Sequence, residues 1–492
     1  MPVGAEVVGA AGTVVTGISL SSQRVLPGDL YAALPGARAH GIEYVADAVA
    51  AGAVAVLTDP EGRDALGGAL PAVVVGHPRQ VLGVVSAEVY GRPAERLRMV
   101  GVTGTQGKTT TTRLLENGLL RAGVPSAVVG TIGTRILGQD VKTALTTPEA
   151  PDLHGLFALM VERGVEVCAM EVSSHALVMG RVDGVVFDVA VFTNLGRDHL
   201  DFHADVEDYF RAKAGLFTPE RSRRALVNVD DEFGRRLADE ATVPVRTFGM
   251  GGVGMGGVGM GGVAADADWR AVDVVLSPSG STFTVLGPDG SRIDAACPLP
   301  GDFNVANALA AVAAAAEAGL DAGVVARAIG RAGGVPGRLE RVEAGQPFEV
   351  VVDYAHKPDA VEAAIAALRP LTRGRLIVVL GAGGDRDPGK RPLMGEIAAR
   401  LADLLVVTDD NPRSEDPAAI RAALLAGAAG AGLAVEEGDR RAAIRRALME
   451  AVPGDVVLIA GKGHETGQEV AGVVHPFDDR DVVREELLGL VR

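Results

Sequence analysis

The stretch Val100-Gly101-Val102-Thr103-Gly104-Thr105-Gln106-Gly107-Lys108-Thr109-Thr110 joins an apolar run to a glycine-rich turn that ends in Lys-Thr-Thr. The run from Leu97 to Val102 predicts a buried strand. Residues 110–120 carry apolar side chains at helical spacing before Gly123, a stop signal. A strand, a glycine turn and a helix N-terminus form a cradle whose backbone N–H groups face a polyphosphate. The residues expected to bind a nucleotide are Gly104, Thr105, Gln106, Gly107, Lys108, Thr109 and Thr110, with Lys108 supplying charge and Thr109 ligating Mg²⁺.

The match to the strict phosphate-loop pattern is incomplete. That pattern has glycine where this chain has Val102, and the glycines here fall at positions 101, 104 and 107. The alternative interpretation is an ordinary glycine-rich turn between a strand and a helix. The Lys-Thr pair, with a strand before it and a helix after it, favours nucleotide binding.

Composition limits the class of protein. A chain of 492 residues is too long for one core, so about two to four domains are expected. The net charge of −16 provides no basic surface for nucleic acid. With only Cys168 and Cys297, a disulfide framework or a cysteine-based zinc site is not expected. The first residues lack a basic leader and no apolar run of about 18 residues avoids charge or glycine, so we expect a cytoplasmic protein without a membrane segment.

Three α/β regions follow one another along the chain. Residues 1–97 resemble a small α/β unit, with strand candidates at Leu30–Leu34 and Ala53–Leu57. Residues 98–336 begin at the phosphate loop and alternate strands with helices, which is typical of a parallel sheet. The alternation restarts over residues 337–492.

One segment of the central region is of low complexity. Residues 250–263 repeat the pentapeptide Met-Gly-Gly-Val-Gly almost three times. Because such a segment loses much backbone entropy on folding, it is predicted to be a flexible surface insertion. The alternative is a glycine-rich functional lid.

Four predicted buried strands in the last region are each followed by polar residues. The strands are Phe348–Val352, Leu376–Leu380, Leu404–Val407 and Val456–Ile459. The polar clusters are Asp353-Tyr354-Ala355-His356, Asp385-Arg386-Asp387, Asp409-Asp410-Asn411-Pro412-Arg413 and Lys462-Gly463-His464-Glu465. Ligands of open α/β sheets lie beyond the carboxyl ends of the strands, so four clusters on one edge predict a site. Singly, each cluster could equally be a polar loop.

The central region offers candidate metal ligands. Residues 165–170 predict a strand that ends at Glu171, where a carboxylate is placed like the second Mg²⁺ ligand of phosphate-loop enzymes. His199 lies just past the predicted strand Phe187–Phe192. By residue type alone, His199 is more often structural than a ligand, and Lys213, on a helix predicted around residues 209–217, is expected to be a solvated surface lysine.

Several motifs together resemble the Mur ligase family. They are Gly104-Thr105-Gln106-Gly107-Lys108-Thr109-Thr110, Met170-Glu171-Val172-Ser173-Ser174-His175, Phe192-Thr193-Asn194-Leu195 with Arg197-Asp198-His199-Leu200, and Tyr209-Phe210-x-Ala212-Lys213. The C-terminal motifs Gly381-x-Gly383-Gly384-Asp385-Arg386-Asp387, Asp410-Asn411-Pro412-Arg413 and Gly461-Lys462-Gly463-His464-Glu465 resemble the members that add diaminopimelate. The resemblance runs from about residue 15 to the C-terminus.

This resemblance implies an α/β protein of three domains. Residues 1–97 would hold a uridine nucleotide, residues 98–336 would be the ATPase with its insertion at 250–263, and residues 337–492 would be a Rossmann-like, amino-acid-binding domain. The implied cofactors are ATP and Mg²⁺, and the implied substrates are UDP-N-acetylmuramoyl-L-alanyl-D-glutamate and diaminopimelate. ATP would phosphorylate the D-Glu γ-carboxylate, and the amine would then displace phosphate, in cytoplasmic peptidoglycan precursor synthesis by a monomer.

The resemblance also implies roles for individual residues. Lys108, Glu171, His199 and Lys213 would be catalytic, with Thr109, Glu171, His199 and a carbamate on Lys213 as metal ligands. Asn307 would touch adenine, with Arg338 and Asp353 at the phosphates and ribose. The acceptor would contact Leu20, Ser22, Thr146, Thr147, Ser173 and Arg181, although Ser21-Ser22-Gln23 stands where the family commonly has Asp-Ser-Arg.

The choice of diaminopimelate over lysine depends on charge. Arg386 and Arg413 can clamp carboxylates, while Asp410 and Glu465 can receive ammonium groups. The matched binding positions are Arg386, Asp410, Asn411, Pro412, Arg413, Gly461 and Glu465. Alternatives are a lysine-adding or other Mur-type ligase, and a nucleotide-binding module without ligase activity. Retention of Lys108, Glu171, His199 and Lys213 argues against the inactive module.

Overall fold

The computed structural model describes residues 5–490 except 11, 144, 197, 200, 201 and 252–265. The predicted α/β class is confirmed, with separate sheets in the first, central and last regions of the chain. Within the described residues, no helix is both long and apolar enough to cross a membrane. The predicted insertion at 250–263 lies outside the described residues except for Met250 and Gly251, so it stays a prediction.

The first sheet follows the order β1-β5-β4-β3-β2, in which β1 is antiparallel and the other strands are parallel. Its elements are β1 (Glu6–Val8), β2 (Gly17–Ser19), β3 (Asp29–Ala32), β4 (Ala55–Thr58), β5 (Ala72–Val74), α1 (Val45–Ala51), α2 (Pro60–Leu66) and α3 (Pro78–Val89). The strands predicted at Leu30–Leu34 and Ala53–Leu57 are β3 and β4, displaced by one or two residues. The chain leaves β2 at the carboxyl edge of this sheet, where Leu20 and Ser22 follow.

The central sheet follows the order β16-β15-β14-β13-β12-β11-β6-β10-β7-β8-β9. Its strands are β6 (Arg98–Thr103), β7 (Ser126–Val129), β8 (Thr134–Ile136), β9 (Gln139–Val141), β10 (Val167–Glu171), β11 (Val189–Phe192), β12 (Ala225–Asn228), β13 (Val245–Met250), β14 (Trp269–Ser277), β15 (Gly280–Leu286) and β16 (Arg292–Cys297). Its helices are α4 (Lys108–Arg121), α5 (Ala150–Glu162), α6 (Ser174–Val178), α7 (Val206–Ala214), α8 (Glu232–Glu240), α9 (Asp302–Glu317) and α10 (Ala322–Gly330). Strands β14 to β7 run parallel, and antiparallel strands complete both edges.

The order of the central strands creates the crevice for a ligand. Strand β6 lies between β10 and β11 in the sheet. After β6 the chain forms β7 and β10 on one side of β6, and then continues with β11 on the other side. Ligands bind at such a switch point, beyond the carboxyl ends of the strands. The phosphate loop after β6, Glu171 at the end of β10 and the segment after Phe192 therefore meet at one edge. Alternate residues of β6 pack into opposite cores, Val100 and Val102 on one face and Met99 on the other.

The last sheet follows the order β17-β18-β22-β19-β20-β21, parallel except for β17. Its elements are β17 (Glu340–Arg341), β18 (Glu349–Asp353), β19 (Leu376–Leu380), β20 (Leu404–Val407), β21 (Ala434–Glu436), β22 (Val456–Ala460), α11 (Pro358–Leu368), α12 (Lys390–Leu401), α13 (Pro417–Ala428), α14 (Arg440–Glu450) and α15 (Asp479–Leu490). A hairpin of β23 (Gly467–Val470) and β24 (Val473–Pro476) follows β22. The four predicted buried strands are confirmed as β18, β19, β20 and β22, and their polar clusters leave one edge.

Candidate active site

The phosphate loop is closed around its own lysine. Lys108 Nζ donates hydrogen bonds to the carbonyl oxygens of Gly104 at 2.7 Å and Thr105 at 2.9 Å. Gly104 has a φ of +147°, and a Cβ there would lie 1.9 Å from Thr193 Oγ1, so the loop requires glycine at this position. The predicted helix begins at Lys108, and Thr109 and Thr110 are buried in its first turn. Strand, loop and helix thus have the arrangement expected of an anion cradle.

Lys213 lies against the same loop and is not a surface residue. Its side chain is 1% exposed, and Nζ donates to the Gly104 carbonyl at 2.8 Å. The expectation of a solvated lysine is therefore wrong, because α7 packs its last turn under the phosphate loop rather than facing water. Burial, with the Lys108 charge as a smaller cause, lowers the pKa of Lys213 well below its usual value. A lysine with a lowered pKa is the kind that can react with CO₂.

Glu171 is held at the end of β10 and is buried. The Thr131 N–H donates to Glu171 Oε1 at 2.8 Å, and the Thr131 hydroxyl donates to Oε2 at 3.0 Å. The Thr147 hydroxyl donates to the Glu171 carbonyl at 2.9 Å. The predicted carboxylate thus stands beside the acceptor-binding candidates as well as the phosphate loop.

His199 has the geometry of a constrained residue after β11. Its φ is +53°, which is strained for a side chain other than glycine. Burial lowers the pKa of His199 to about 4, so the ring is neutral at pH 7 and keeps a lone pair for a metal. His199 Nε2 lies 3.3 Å from Asp198 Oδ2, and Asp198 also accepts from Lys357 Nζ at 2.6 and 2.7 Å. Lys357 precedes α11, so this ion pair joins the central and last regions.

The unmodified side chains of this site do not form a complete Mg²⁺ site by themselves. Nucleotide phosphates, water or a modified lysine would have to supply the remaining ligands. Among the described residues, no group of three or more His, Cys, Asp and Glu side chains is arranged to hold a metal. Mg²⁺ prefers oxygen ligands and usually binds through one or two carboxylates, phosphates and water. Glu171, the Thr109 hydroxyl and nucleotide phosphates fit that pattern, and a carbamate on Lys213 would add oxygen ligands.

Residues of the last region and of α9 reach the phosphate loop. Arg338 Nη2 donates to Thr109 Oγ1 at 3.2 Å, and its guanidinium lies 4.6 Å from the centre of the Tyr354 ring. Asn307, on α9, accepts from the Thr111 hydroxyl at 3.4 Å. Both oxygens of Asp353 accept backbone N–H groups, from Leu339 and Ala355. Arg338 and Asn307 therefore line the loop, whereas Asp353 shapes the turn next to Arg338.

The acceptor-binding candidates of the central region form one connected group. Thr146 Oγ1 lies 3.1 Å from Thr131 Oγ1, and the Thr147 hydroxyl oxygen accepts from the Ser173 N–H at 3.3 Å. Arg181 donates to the Thr147 carbonyl at 3.3 Å and pairs through Nε with Glu149 at 2.8 Å. Leu20 of the first region packs against an apolar cluster that includes Ala150 at the start of α5, so the first sheet and α5 share a core.

At the carboxyl edge of the last sheet, called the C-terminal edge below, three of the predicted polar clusters come into contact. Arg413 has a φ of +52°, donates through Nη1 to the Gly384 carbonyl at 2.6 Å and lies 3.4 Å from Glu469. Asn411 donates to Glu465 Oε2 at 2.8 Å. The fourth cluster joins through the Tyr354 ring, whose centre lies 5.0 Å from that of His464. Arg386 is exposed on the loop after β19, and Gly461, with a φ of +117°, lets the chain pass close to Asp410.

No individual role was predicted for several residues of this site, including Lys462 of the polar cluster after β22. Lys462 is fully buried, with Nζ 3.0 Å from Asn411 Oδ1, 3.3 Å from Glu465 and 3.7 Å from Asp410. A lysine flanked by two glycines directly after a buried strand was a usable signal. Thr131 lies just after β7, and Lys357 lies just before α11. Their partners, Glu171 and Asp198, are distant in sequence, so only the fold identifies these contacts.

Three family models match the chain in the order of its sheets. The model "Mur ligase family, catalytic domain" matches residues 14–90, "Mur ligase middle domain" matches 102–315, and "Mur ligase, glutamate ligase domain" matches 337–463. Together these matches extend over most of the chain.

Curated relatives are similar over nearly the full length. A UDP-N-acetylmuramoyl-L-alanyl-D-glutamate–2,6-diaminopimelate ligase of Streptomyces coelicolor is 57% identical over 480 residues, covering 96% of this chain and 92% of the relative. The ligase of the same name from Corynebacterium glutamicum is 48% identical over 490 residues, with the same coverage of both chains.

Solved structures show the same architecture. The structure of a UDP-N-acetylmuramoyl-L-alanyl-D-glutamate–2,6-diaminopimelate ligase is 33% identical, covers 97% of this chain and 96% of its own, and superposes with a TM-score of 0.68. A folylpolyglutamate synthase of Mycobacterium tuberculosis, 19% identical, covers 77% of this chain and 91% of its own with a TM-score of 0.62. At that identity the second match concerns the fold alone.

Proposed function

The chain belongs to the Mur ligase family, and we propose that it is the ligase that joins diaminopimelate to the D-Glu γ-carboxylate of UDP-N-acetylmuramoyl-L-alanyl-D-glutamate. The observation that supports this proposal is the contact between the carboxyl edge of the last sheet and the carboxyl edge of the central sheet. Arg338 and Lys357 bring the C-terminal edge, with its candidate amino-acid residues, onto the phosphate loop and Asp198. A nucleotide, an acceptor carboxylate and an amine could therefore react in one crevice.

The reaction would proceed in two balanced steps. An oxygen of the γ-carboxylate attacks the γ-phosphorus of ATP, the bond to the β-phosphate oxygen breaks, and an acyl phosphate and ADP form. The amine nitrogen then attacks the acyl carbon, inorganic phosphate leaves, and the nitrogen loses a proton. Lys108 at the start of α4 is placed to neutralise charge on the transferred phosphoryl group.

Mg²⁺ would supply charge neutralisation at the phosphates. The residues proposed to hold it are Thr109, Glu171, His199 and a carbamate on Lys213. Each supplies a suitable atom: a hydroxyl, a buried carboxylate, a neutral ring nitrogen and, after carbamylation, a carboxylate-like group. Asn307, Arg338 and Asp353 are proposed at the nucleotide.

The acceptor and the amino acid would enter from opposite sides of the phosphate loop. Thr146, Thr147, Ser173 and Arg181 are proposed to hold the acceptor peptide, with Leu20 and Ser22 at the uridine end. The amino acid would bind Arg386, Asp410, Asn411, Pro412, Arg413, Gly461 and Glu465. Lys462 offsets part of the negative charge of Asp410 and Glu465, so the pocket would accept one ammonium group without excess negative charge.

Finer features belong to the same proposal. The domains are proposed to span residues 1–97, 98–336 and 337–492, and the protein is proposed to act as a cytoplasmic monomer. A lysine-adding ligase is the second candidate, since lysine also carries the reacting ammonium group. Arg413 favours diaminopimelate, because its guanidinium would pair with the distal carboxylate that lysine lacks.

Release of inorganic phosphate tests the proposal. With purified protein, ATP and Mg²⁺, release should require both the UDP-muramoyl dipeptide and diaminopimelate. Lys108→Ala should reduce it to background without changing the melting temperature, because the Lys108 ammonium donates to the carbonyl oxygens of its own loop, Gly104 and Thr105, and to no other described residue. Phosphate release at the same rate without the UDP-muramoyl dipeptide, or nucleotide binding without phosphate release, would contradict the proposal.

A further inference from the structure

Thr131 lies beside Glu171 because of the register of two parallel strands. β7 pairs with β10 so that Val129 is opposite Met170, which sets Glu171 next to Gly130 and Thr131. A Cβ at Gly130 would lie 2.2 Å from Glu171 Oε1. Only glycine at this position therefore leaves room for the carboxylate to lie against the backbone.

Thr131 binds both oxygens of the Glu171 carboxylate. The backbone N–H donates to Oε1 at 2.8 Å and the hydroxyl donates to Oε2 at 3.0 Å. Because Glu171 is 1% exposed, bulk water competes little for these bonds. Two donors on one residue fix the plane of the carboxylate and leave further lone pairs on each oxygen for a cation.

The same hydroxyl reaches Thr146. The two hydroxyl oxygens are 3.1 Å apart, so one of them donates to the other. The single hydroxyl hydrogen of Thr131 goes to Glu171, since a carboxylate can only accept, and Thr146 must therefore be the donor. The Thr146 hydroxyl is left to face a substrate only as an acceptor.

We propose that Thr131 is a positioning residue, which orients Glu171 toward the divalent cation and Thr146 toward the acceptor. This inference rests on the proposed function, because it takes Glu171 as a ligand of the cation that accompanies ATP. Loss of a hydrogen-bond partner behind a metal ligand typically weakens metal affinity by about 10–100-fold. Thr131 should therefore control cation affinity without touching the cation.

Binding of Mn²⁺ to the full-length protein with a non-hydrolysable ATP analogue, followed by electron paramagnetic resonance, tests this role. Thr131→Val keeps the side-chain shape and the backbone donor but removes the hydroxyl. Its Mn²⁺ dissociation constant should rise about tenfold or more. Thr131→Ser should recover most of the affinity, because serine restores the donor to Glu171. Thr131→Ala also lacks the hydroxyl and replaces the valine variant if valine impairs folding.

Thr134→Val is the matched control. It removes another buried threonine hydroxyl, one that meets Thr143 at 3.3 Å, and should leave Mn²⁺ affinity unchanged. Wild-type Mn²⁺ affinity in a folded Thr131 variant that lacks the hydroxyl would overturn the positioning role. Glu171→Gln separates this failure from a failure of the proposed function: if that variant also binds Mn²⁺ normally, the assignment of Glu171 itself is wrong.

Discussion

Lys108 and Lys213 donate hydrogen bonds to one oxygen, the backbone carbonyl of Gly104, at 2.7 and 2.8 Å. Burial lowers the pKa of both lysines, and at Lys213 the Lys108 charge adds to the lowering. Two ammonium groups around one acceptor repel each other in a buried site. We therefore expect Lys213 to be a neutral amine, the form that reacts with CO₂ to give a carbamate.

Lys213→Ala should be inactive, because the metal would lose an anionic oxygen ligand that alanine cannot supply. A small added carboxylate such as acetate should restore part of the turnover by occupying the space that the lysine vacates. Lys142→Ala, which changes an exposed lysine, should behave as wild type. An unmodified ammonium at Lys213 in the active enzyme, seen both by mass analysis under CO₂ and in a high-resolution map, would contradict the carbamate.

Lys357→Met should weaken closure of the last region onto the central one. The change removes the partner of Asp198, whose side chain is 13% exposed, while Lys357 itself is 36% exposed. Since such a pair is partly solvated, we expect a loss of about 1 kcal/mol, seen as a several-fold lower kcat/KM for ATP. Lys357→Arg keeps the charge and should lose less. Equal kinetics for the methionine variant and the wild type would show that the pair does not support the active arrangement.

Arg413→Ala should mainly raise the KM for diaminopimelate. Pro412 precedes it, and backbone bonds to Glu469 and Ala471 hold it at the C-terminal edge. If substrate binding desolvates the pair between Arg413 and the distal carboxylate, loss of the guanidinium costs about 2–5 kcal/mol. The KM values for ATP and the UDP-muramoyl dipeptide should change little. Arg445→Ala, in an exposed part of α14, is the control. An unchanged ratio of kcat/KM for diaminopimelate and lysine would remove the selectivity assigned to Arg413.

Deleting residues 253–262 should leave activity within a few-fold, because loop closure depends weakly on length. Strands β13 and β14 pair in parallel only from Phe248 opposite Trp269 to Met250 opposite Ala271, so the connected ends, Met250 and Trp269, are offset by two residues along neighbouring strands. The residues that remain between Met250 and Trp269 can span roughly 25 Å, more than the gap between adjacent strands of about 5 Å plus the short offset. Steady-state kinetics and a thermal melt of the deletion variant test this prediction. A large loss of kcat in a folded variant would favour the alternative that the segment is a functional lid.

Two strands of the last sheet that are buried on both faces were predictable to the residue. Leu376–Leu380 and Leu404–Val407 match the predicted bounds, because each is a continuous apolar run that ends in polar residues. The short strands β1, β2 and β5 were not predicted, since three residues carry too little pattern. The predicted helix around residues 209–217 is displaced to Val206–Ala214, where Asp205 caps its first turn.

The site was predictable only in part. The phosphate loop and Glu171 could be proposed from the sequence because each stands at the end of a predicted strand. The burial of Lys213 and the contact of Thr131 with Glu171 depend on packing between segments about 40 to 110 residues apart, for which the sequence contains no local signal. Strand order, not local propensity, brings these groups together.

The mass of the nucleotide product shows which amino acid this chain adds. The protein is given ATP, Mg²⁺ and the UDP-muramoyl dipeptide with an equimolar mixture of diaminopimelate and lysine. We predict that mass spectrometry finds the diaminopimelate tripeptide as the dominant product, formed in equal amount with inorganic phosphate. A predominance of the lysine tripeptide, or phosphate release without any tripeptide, would show that the chain is not a diaminopimelate-adding ligase.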